Sequence, residues 1–155
     1  MDIIAHALLT NLVFKDLPWQ TRRWAVLFGV LPDLLGLCGI YNNKFFRRRL
    51  FFKKPPATLV PTYVKTIYAV MHSIPIWLTV FLGLRLLAPD WSIIWCAWGL
   101  HILMDIFTHS DDSMMAAPIF WPFTNYSFNG MKWSNKWFLL FNYCLLLFLY
   151  LFFYP

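Results

Sequence analysis

Four histidines, His6, His72, His101 and His109, each lie within or at the end of an apolar run, and Asp33 and Asp105 do the same. Ionisable groups in such surroundings are costly, and by default they mark a functional site facing the interior of a helical bundle. Three of them form the series His101-x3-Asp105-x3-His109. In a helix each step of four residues advances about 40° around the axis and about 6 Å along it. The three side chains therefore make one stripe on one face. His and Asp at i, i+4 can share a metal ion, the geometry that helical zinc sites use. The whole stripe is about 12 Å long. That suits two ions about 3.5–4 Å apart, with Asp105 between them, better than one. The chemistry expected is that of a divalent metal, zinc foremost, as one or two ions. All seven acids are Asp and there is no Glu. A general base would then be Asp33, Asp105 or the metal hydroxide itself.

Blander readings stand beside this one. A lone intramembrane histidine is commonly a hydrogen-bonded structural residue, and a group of them can be a proton relay or polar glue between helices. Asp33 follows Pro32 and reads equally as the cap of a broken helix. Asp111 and Asp112 read as a solvated turn after the helix, or as further ligands. Arg85 reads as a snorkelling side chain at a helix end.

The elements that must position these groups are apolar throughout. The chain is 60% hydrophobic and 13% charged, where soluble chains carry about 25% charged residues. A soluble core of 155 residues could not hide that much apolar surface. Five apolar stretches run over residues 3–14, 24–40, 67–88, 91–108 and 137–154. A hydrocarbon core of ~30 Å takes about 20 helical residues, so the last three can span, the second is near the limit and the first suits a tilted or half-inserted helix. Open strands cannot satisfy their backbone in lipid. The expected fold is all-α, an integral membrane helical bundle of about four to five transmembrane helices forming a single domain over 1–155. The linker 110–136 carries Pro118, Pro122 and the rings of Phe120, Trp121, Phe123, Tyr126, Phe128 and Trp133. It is expected at the headgroup level, as an interfacial lid or platform.

Of the thirteen basic residues, seven fall between Lys44 and Lys65. A basic loop beside an apolar segment is a topology signal and an anchor to anionic lipid, which places 41–66 in the cytoplasm. Lys15, Arg22 and Arg23 then lie on the outer side. In this orientation all six His and Asp residues fall in the cytoplasmic half of the membrane, which random scatter would not produce. Nucleic acid is not an expected partner, because no recognition motif accompanies the charge. Cys38, Cys96 and Cys144 show no paired spacing and read as core or lipid-facing filler. The N-terminus opens on Asp2 without a positive region or small-residue cleavage pattern, so it does not read as a cleavable signal.

The ordered series Ala5-His6, Leu31-Pro32-Asp33, Met71-His72-Ser73, His101-x3-Asp105-x2-Thr108-His109 and Trp121-Pro122-Phe123 resembles a prokaryotic family of predicted membrane-bound metal-dependent hydrolases. That family includes the LexA-regulated inner-membrane type and is distantly like zinc-dependent phospholipase C. The resemblance covers about residues 5–125. It implies metal ligation or catalysis at His6, Asp33, His72, His101, Asp105 and His109, with Asp33 and Asp105 in the catalytic roles. Many members carry a further His-Arg-Gly before the His-Ser pair, where this chain has Ile67-Tyr68-Ala69-Val70. Neither that further ligand nor a phosphate-binding arginine carries over at that place.

The expectation is a hydrolase of the prokaryotic inner membrane that cuts an ester, foremost a phosphoester, in a lipid substrate at the cytoplasmic face. Two other classes use the same residues. A metal or proton transporter would need polar groups through the full membrane depth. A non-catalytic scaffold would bind no metal and would tolerate single substitutions.

Overall fold

The computed structural model describes residues 1–41, 60–109 and 117–154. Among them are six helices and no strand: α1 (Ile3–Val13), α2 (Trp19–Tyr41), α3 (Thr62–Met71), α4 (Ile74–Leu87), α5 (Pro89–Thr108) and α6 (Lys136–Phe153). Most of the helix starts follow local chemistry. The Asp2 carboxylate accepts the Ala5 N–H at 3.0 Å, and the Ser73 hydroxyl accepts the Ile76 N–H at 3.2 Å. Asn135 accepts from Trp137 at 2.9 Å, and α5 opens on Pro89 with Asp90 in its first turn. Each device satisfies or removes an orphan donor at a helix N-terminus, and Asp90 also complements the dipole.

Two stretches fold otherwise than their sequence suggests. Helix α2 runs unbroken through Pro32 for 23 residues, so Asp33 sits inside a helix and does not cap the end of one. The third apolar stretch is a broken pair, with α3 and α4 bent by 50° about His72 and Ser73. Broken helices are tolerated at membrane depth where other groups satisfy the freed backbone. Here the Trp98 indole donates to the Met71 carbonyl at 2.8 Å, and the Ile74 N–H donates to the Ile119 carbonyl at 2.9 Å. The Ser73 hydroxyl donates to the Trp121 carbonyl at 2.5 Å.

The described part of the linker is therefore bonded to the bundle. Besides Ile119 and Trp121 at the break, the N–H groups of Gly130, Met131 and Trp133 donate to the carbonyls of His109, Phe107 and Thr108 at 2.7, 2.9 and 2.9 Å. These bonds satisfy carbonyls at the C-terminus of α5 that no helix partner reaches. A Cβ at Gly130 would lie 2.5 Å from the Phe107 carbonyl oxygen, so glycine is what lets the two backbones approach.

Helix α2 packs most extensively on α5, with Trp24 and Phe28 meeting Trp91, Trp95 and Trp98 in a seam of tilted and edge-on rings. Helices α4 and α5 are clasped by Trp77 and Trp95, whose indoles each donate to the other's backbone carbonyl at 3.1 Å. Gly99 lets them close, since a Cβ there would lie 2.6 Å from the Trp77 ring. Helix α6 docks on α1 through Tyr143 to Asp2 at 2.8 Å and Tyr150 to the Leu8 carbonyl at 2.9 Å, with Leu146 buried between them.

Helices α5 and α6 are each long and apolar enough to cross a membrane, and the bent α3–α4 pair brings the total to three; α1 is a shorter apolar helix. Only 6% of the most apolar window of α6 is buried within the bundle. Trp137, Phe141, Leu147 and Leu151 point outwards from it, a surface that suits lipid and not water. Lys44, Arg47, Arg48, Arg49, Lys53 and Lys54 of the basic loop lie outside the described residues, as do Asp111 and Asp112. Lys65 is exposed on α3, and Arg85 is exposed in the last turn of α4. Cys96 is partly buried and Cys144 exposed, and both are free.

Candidate metal centre

Helix α5 carries His101 and Asp105 on its buried face, one turn apart, both with 0% exposure. The break after α3 leaves His72 at the α3 C-terminus, where it turns inwards and is equally buried. The Nε2 atoms of His72 and His101 lie 3.2 Å apart. Asp105 Oδ2 lies 3.3 Å from the first and 3.4 Å from the second. Asp33, from the middle of α2, adds Oδ1 at 3.8 Å from His101 Nε2. One ligand atom from each of Asp33, His72, His101 and Asp105 falls within 4.8 Å of the others.

Hydrogen bonds on the far side of the rings fix what these atoms offer. His72 Nδ1 lies 2.9 Å from the Tyr68 carbonyl, and His101 Nδ1 lies 2.8 Å from the Gly29 carbonyl. A carbonyl oxygen only accepts, so both Nδ1 atoms carry a proton, and the neutral form of each ring presents Nε2 as a lone pair. In that form two lone pairs face each other, and Asp105 Oδ2, which makes no hydrogen bond, faces both. Three electron-pair donors without a proton between them repel unless a cation sits among them. The edges of a tetrahedral zinc site with ligands at about 2.0–2.1 Å are about 3.3 Å, which matches the 3.2, 3.3 and 3.4 Å found here. The carbonyls of Tyr68 and Gly29 take the place of the outer partners that orient metal-binding histidines. The donor set fits a divalent metal ion.

His6 and His109 take a different place. His6 Nε2 lies 2.9 Å from Asp105 Oδ1, the oxygen turned away from the His72–His101 pair, and 3.9 Å from Asp33 Oδ2. Its ring stacks on His101 at 4.0 Å, and its Nδ1 is buried without a partner. His109 Nδ1 donates to the Asp105 carbonyl at 3.2 Å and lies 3.5 Å from Asp105 Oδ1. Burial holds its imidazole down to about 4, against the opposing pull of the Asp105 charge. Thr108 Oγ1 at 3.4 Å and the Met1 nitrogen also reach Asp105 Oδ1. Oδ1 is thus hydrogen-bonded by neighbours while Oδ2 is left open.

All six residues expected from the sequence meet in this region, four around one point and two behind Asp105. The sequence reading missed Gly29, whose carbonyl orients His101, and Tyr68, whose carbonyl orients His72. Both were within reach of a spacing argument. Tyr68 precedes His72 by one helical turn, and Gly29 precedes Asp33 by one turn on the same helix. Among the ligand side chains only Asp33, at 16%, is open to the outside. No family model, curated protein or solved structure matches the chain.

Proposed function

We propose that this chain is a membrane-embedded, metal-dependent hydrolase that cuts an ester or phosphoester bond of a lipid at the cytoplasmic face of a prokaryotic inner membrane. The observation that carries the reading is the meeting of three ligand atoms, His72 Nε2, His101 Nε2 and Asp105 Oδ2, at 3.2, 3.3 and 3.4 Å from one another in a fully buried place. Two imidazoles and two carboxylates favour zinc among the divalent ions. A bound zinc ion supplies a water acidified towards a pKa of about 7 and polarises the scissile group.

The chain's own residues divide the remaining work. His72, His101 and Asp105 would hold the ion. His6 holds Asp105 from its other oxygen and so aims Oδ2 at the centre, and His109 bonds the Asp105 backbone carbonyl behind it. Asp33, on the open side, takes the proton from the attacking water and returns it to the leaving oxygen. In this reading α1, α2, the bent α3–α4 pair, α5 and α6 give four to five crossings. The basic loop faces the cytoplasm, and the segment 117–135 forms the platform beside the site. The placement of buried polar groups favours hydrolysis over transport. Near the N-terminal end of α5 the buried polar side chain among the described residues is Ser92, which donates to its own helix at the Pro89 carbonyl.

Elemental analysis of the detergent-purified protein beside His101→Ala and Asp105→Ala variants tests the reading. One equivalent of zinc or a similar ion is expected in the parent and none in the variants, with the parent alone releasing product from phospholipid vesicles. A parent that stays metal-free after loading with zinc, manganese or cobalt overturns it.

A further inference from the structure

Tyr68 is 4% exposed on α3, one turn before His72. Its ring stacks on the His72 imidazole, with centroids 3.9 Å apart and planes at 26°. The residue thus touches a ligand with its ring and orients the same ligand with its carbonyl. Its hydroxyl is buried and has no hydrogen-bond partner in the protein. The hydrophobic residues packed with the ring, Ala117, Ile119, Ile74 and Ile106, have no side-chain acceptor to offer. The imidazole the ring stacks on reaches the centre directly, with His72 Nε2 at 3.3 Å from Asp105 Oδ2.

A buried phenol without an acceptor is costly, and Tyr side chains in cores nearly always find one. Phenylalanine would fill the same apolar space at no such cost. With a cation bound, the carboxylate oxygens that face the histidines would be committed to it, which leaves the donor for whatever else the centre binds. We infer that the Tyr68 hydroxyl donates a hydrogen bond to an oxyanion seated at the cation site, and so recognises a phosphate group of the substrate. The inference rests on the metal-centre reading above and names the substrate class for that site. It places a donor where the chain has no arginine, and the donor is neutral, so it discriminates by geometry more than by charge.

Cobalt(II) loaded into the full-length protein in detergent gives visible bands that report on its ligands without any turnover. The bands are followed while inorganic phosphate, a short-chain phosphatidic acid or imidazole is added to the parent and to Tyr68→Phe. A hydrogen bond to a charged group sets the scale, and loss of about tenfold or more in affinity is expected for both phosphates in the variant. Imidazole, which has no acceptor to offer once bound, should keep its affinity within about twofold. Tighter binding of the phosphatidic acid in the parent assigns the oxyanion to a lipid headgroup, and tighter binding of inorganic phosphate assigns it to a free anion. Equal phosphate affinities in parent and variant overturn the inference, as does a parent whose bands do not respond to either phosphate. Loss of cobalt from Tyr68→Phe alone also overturns it, because the hydroxyl would then serve the ligand and not the anion. A parent that holds no cobalt is a different failure, that of the metal centre itself.

Discussion

The side chain that decides most at the residue scale is Asp105, because its two oxygens have different tasks. Oδ1 is hydrogen-bonded by His6 at 2.9 Å, while Oδ2 faces two imidazole lone pairs at 3.3 and 3.4 Å. Asp105→Asn separates the tasks. The amide oxygen can keep the His6 contact, and the amide nitrogen can donate to the lone pairs that Oδ2 now opposes. We expect the metal-free variant to be as stable as the metal-free parent, or more so by about 1 kcal/mol. Its metal affinity should fall at least about 100-fold, since an amide nitrogen is no ligand. Thermal unfolding of both apo proteins in detergent, with a zinc titration of each, checks this, and an apo variant that unfolds well below the parent contradicts it. Gly29→Ala makes the complementary test. A Cβ there would lie 2.5 Å from Thr10 Oγ1, so α1 and α2 must part and the Gly29 carbonyl moves off His101 Nδ1. An outer-partner loss of about 10–100-fold in metal affinity is expected, with every ligand still in place. Zinc affinity equal to the parent's would remove Gly29 from this role.

Element boundaries show how local chemistry and packing share control of the fold. Ser73 with Pro75, Ala88-Pro89 and Asn135 are start signals that act within one turn, and α4, α5 and α6 begin at them. Pro32 is equally visible and misleads, because α2 passes through it once α5 and α1 are packed against its sides. The break at His72 is legible only through Ser73 and Pro75. What makes it tolerable lies far away in sequence, in Trp98, Ile119 and Trp121. Trp98→Phe leaves the Met71 carbonyl without its donor and should cost about 1–3 kcal/mol in thermal or denaturant unfolding, with weaker metal binding because His72 is next in the chain. Two glycines in facing helices give a paired test. Gly99→Ala drives a methyl group into the Trp77 ring and should cost about 1–3 kcal/mol. Gly83→Ala meets nothing within 4 Å and should be neutral or stabilising by up to about 1 kcal/mol. If the two substitutions behave alike, the clasp between α4 and α5 is not tight.

The whole molecule has two unlike ends. The candidate metal ligands, the α3–α4 break and the segment from 117 to 135 gather at one end of the bundle. Lys15, Arg22, Arg23 and Arg85 lie towards the other, where Arg22 rests against Trp19 and Tyr154 at 5.2 and 5.9 Å. Six further basic residues fall between Lys44 and Lys54, and their side of the membrane sets the orientation of the site. A membrane-impermeant amine reagent should reach Lys44, Lys53 and Lys54 only after the cytoplasmic face is opened. Labelling of intact cells at these lysines would reverse the orientation and put the centre at the outer face.

Sequence by itself determined the all-helical class and the apolar surface that calls for lipid, and it singled out six buried-run His and Asp residues, because periodicity, composition and charge in an apolar run are local properties. It also led to the expectation that those six share one half of the membrane, since helices that must each cross one slab leave few choices of depth. Only the tertiary structure decided which of them meet. His72 and His101 are far apart in the chain, and their Nε2 atoms face each other because the carbonyls of Tyr68 and Gly29 hold their Nδ1 protons. Which ring atom is bare, which oxygen of Asp105 is open and which hydroxyl lacks a partner depend on how the helices are rotated against one another. That rotation is set by side chains on several helices at once, and no single stretch of sequence contains it.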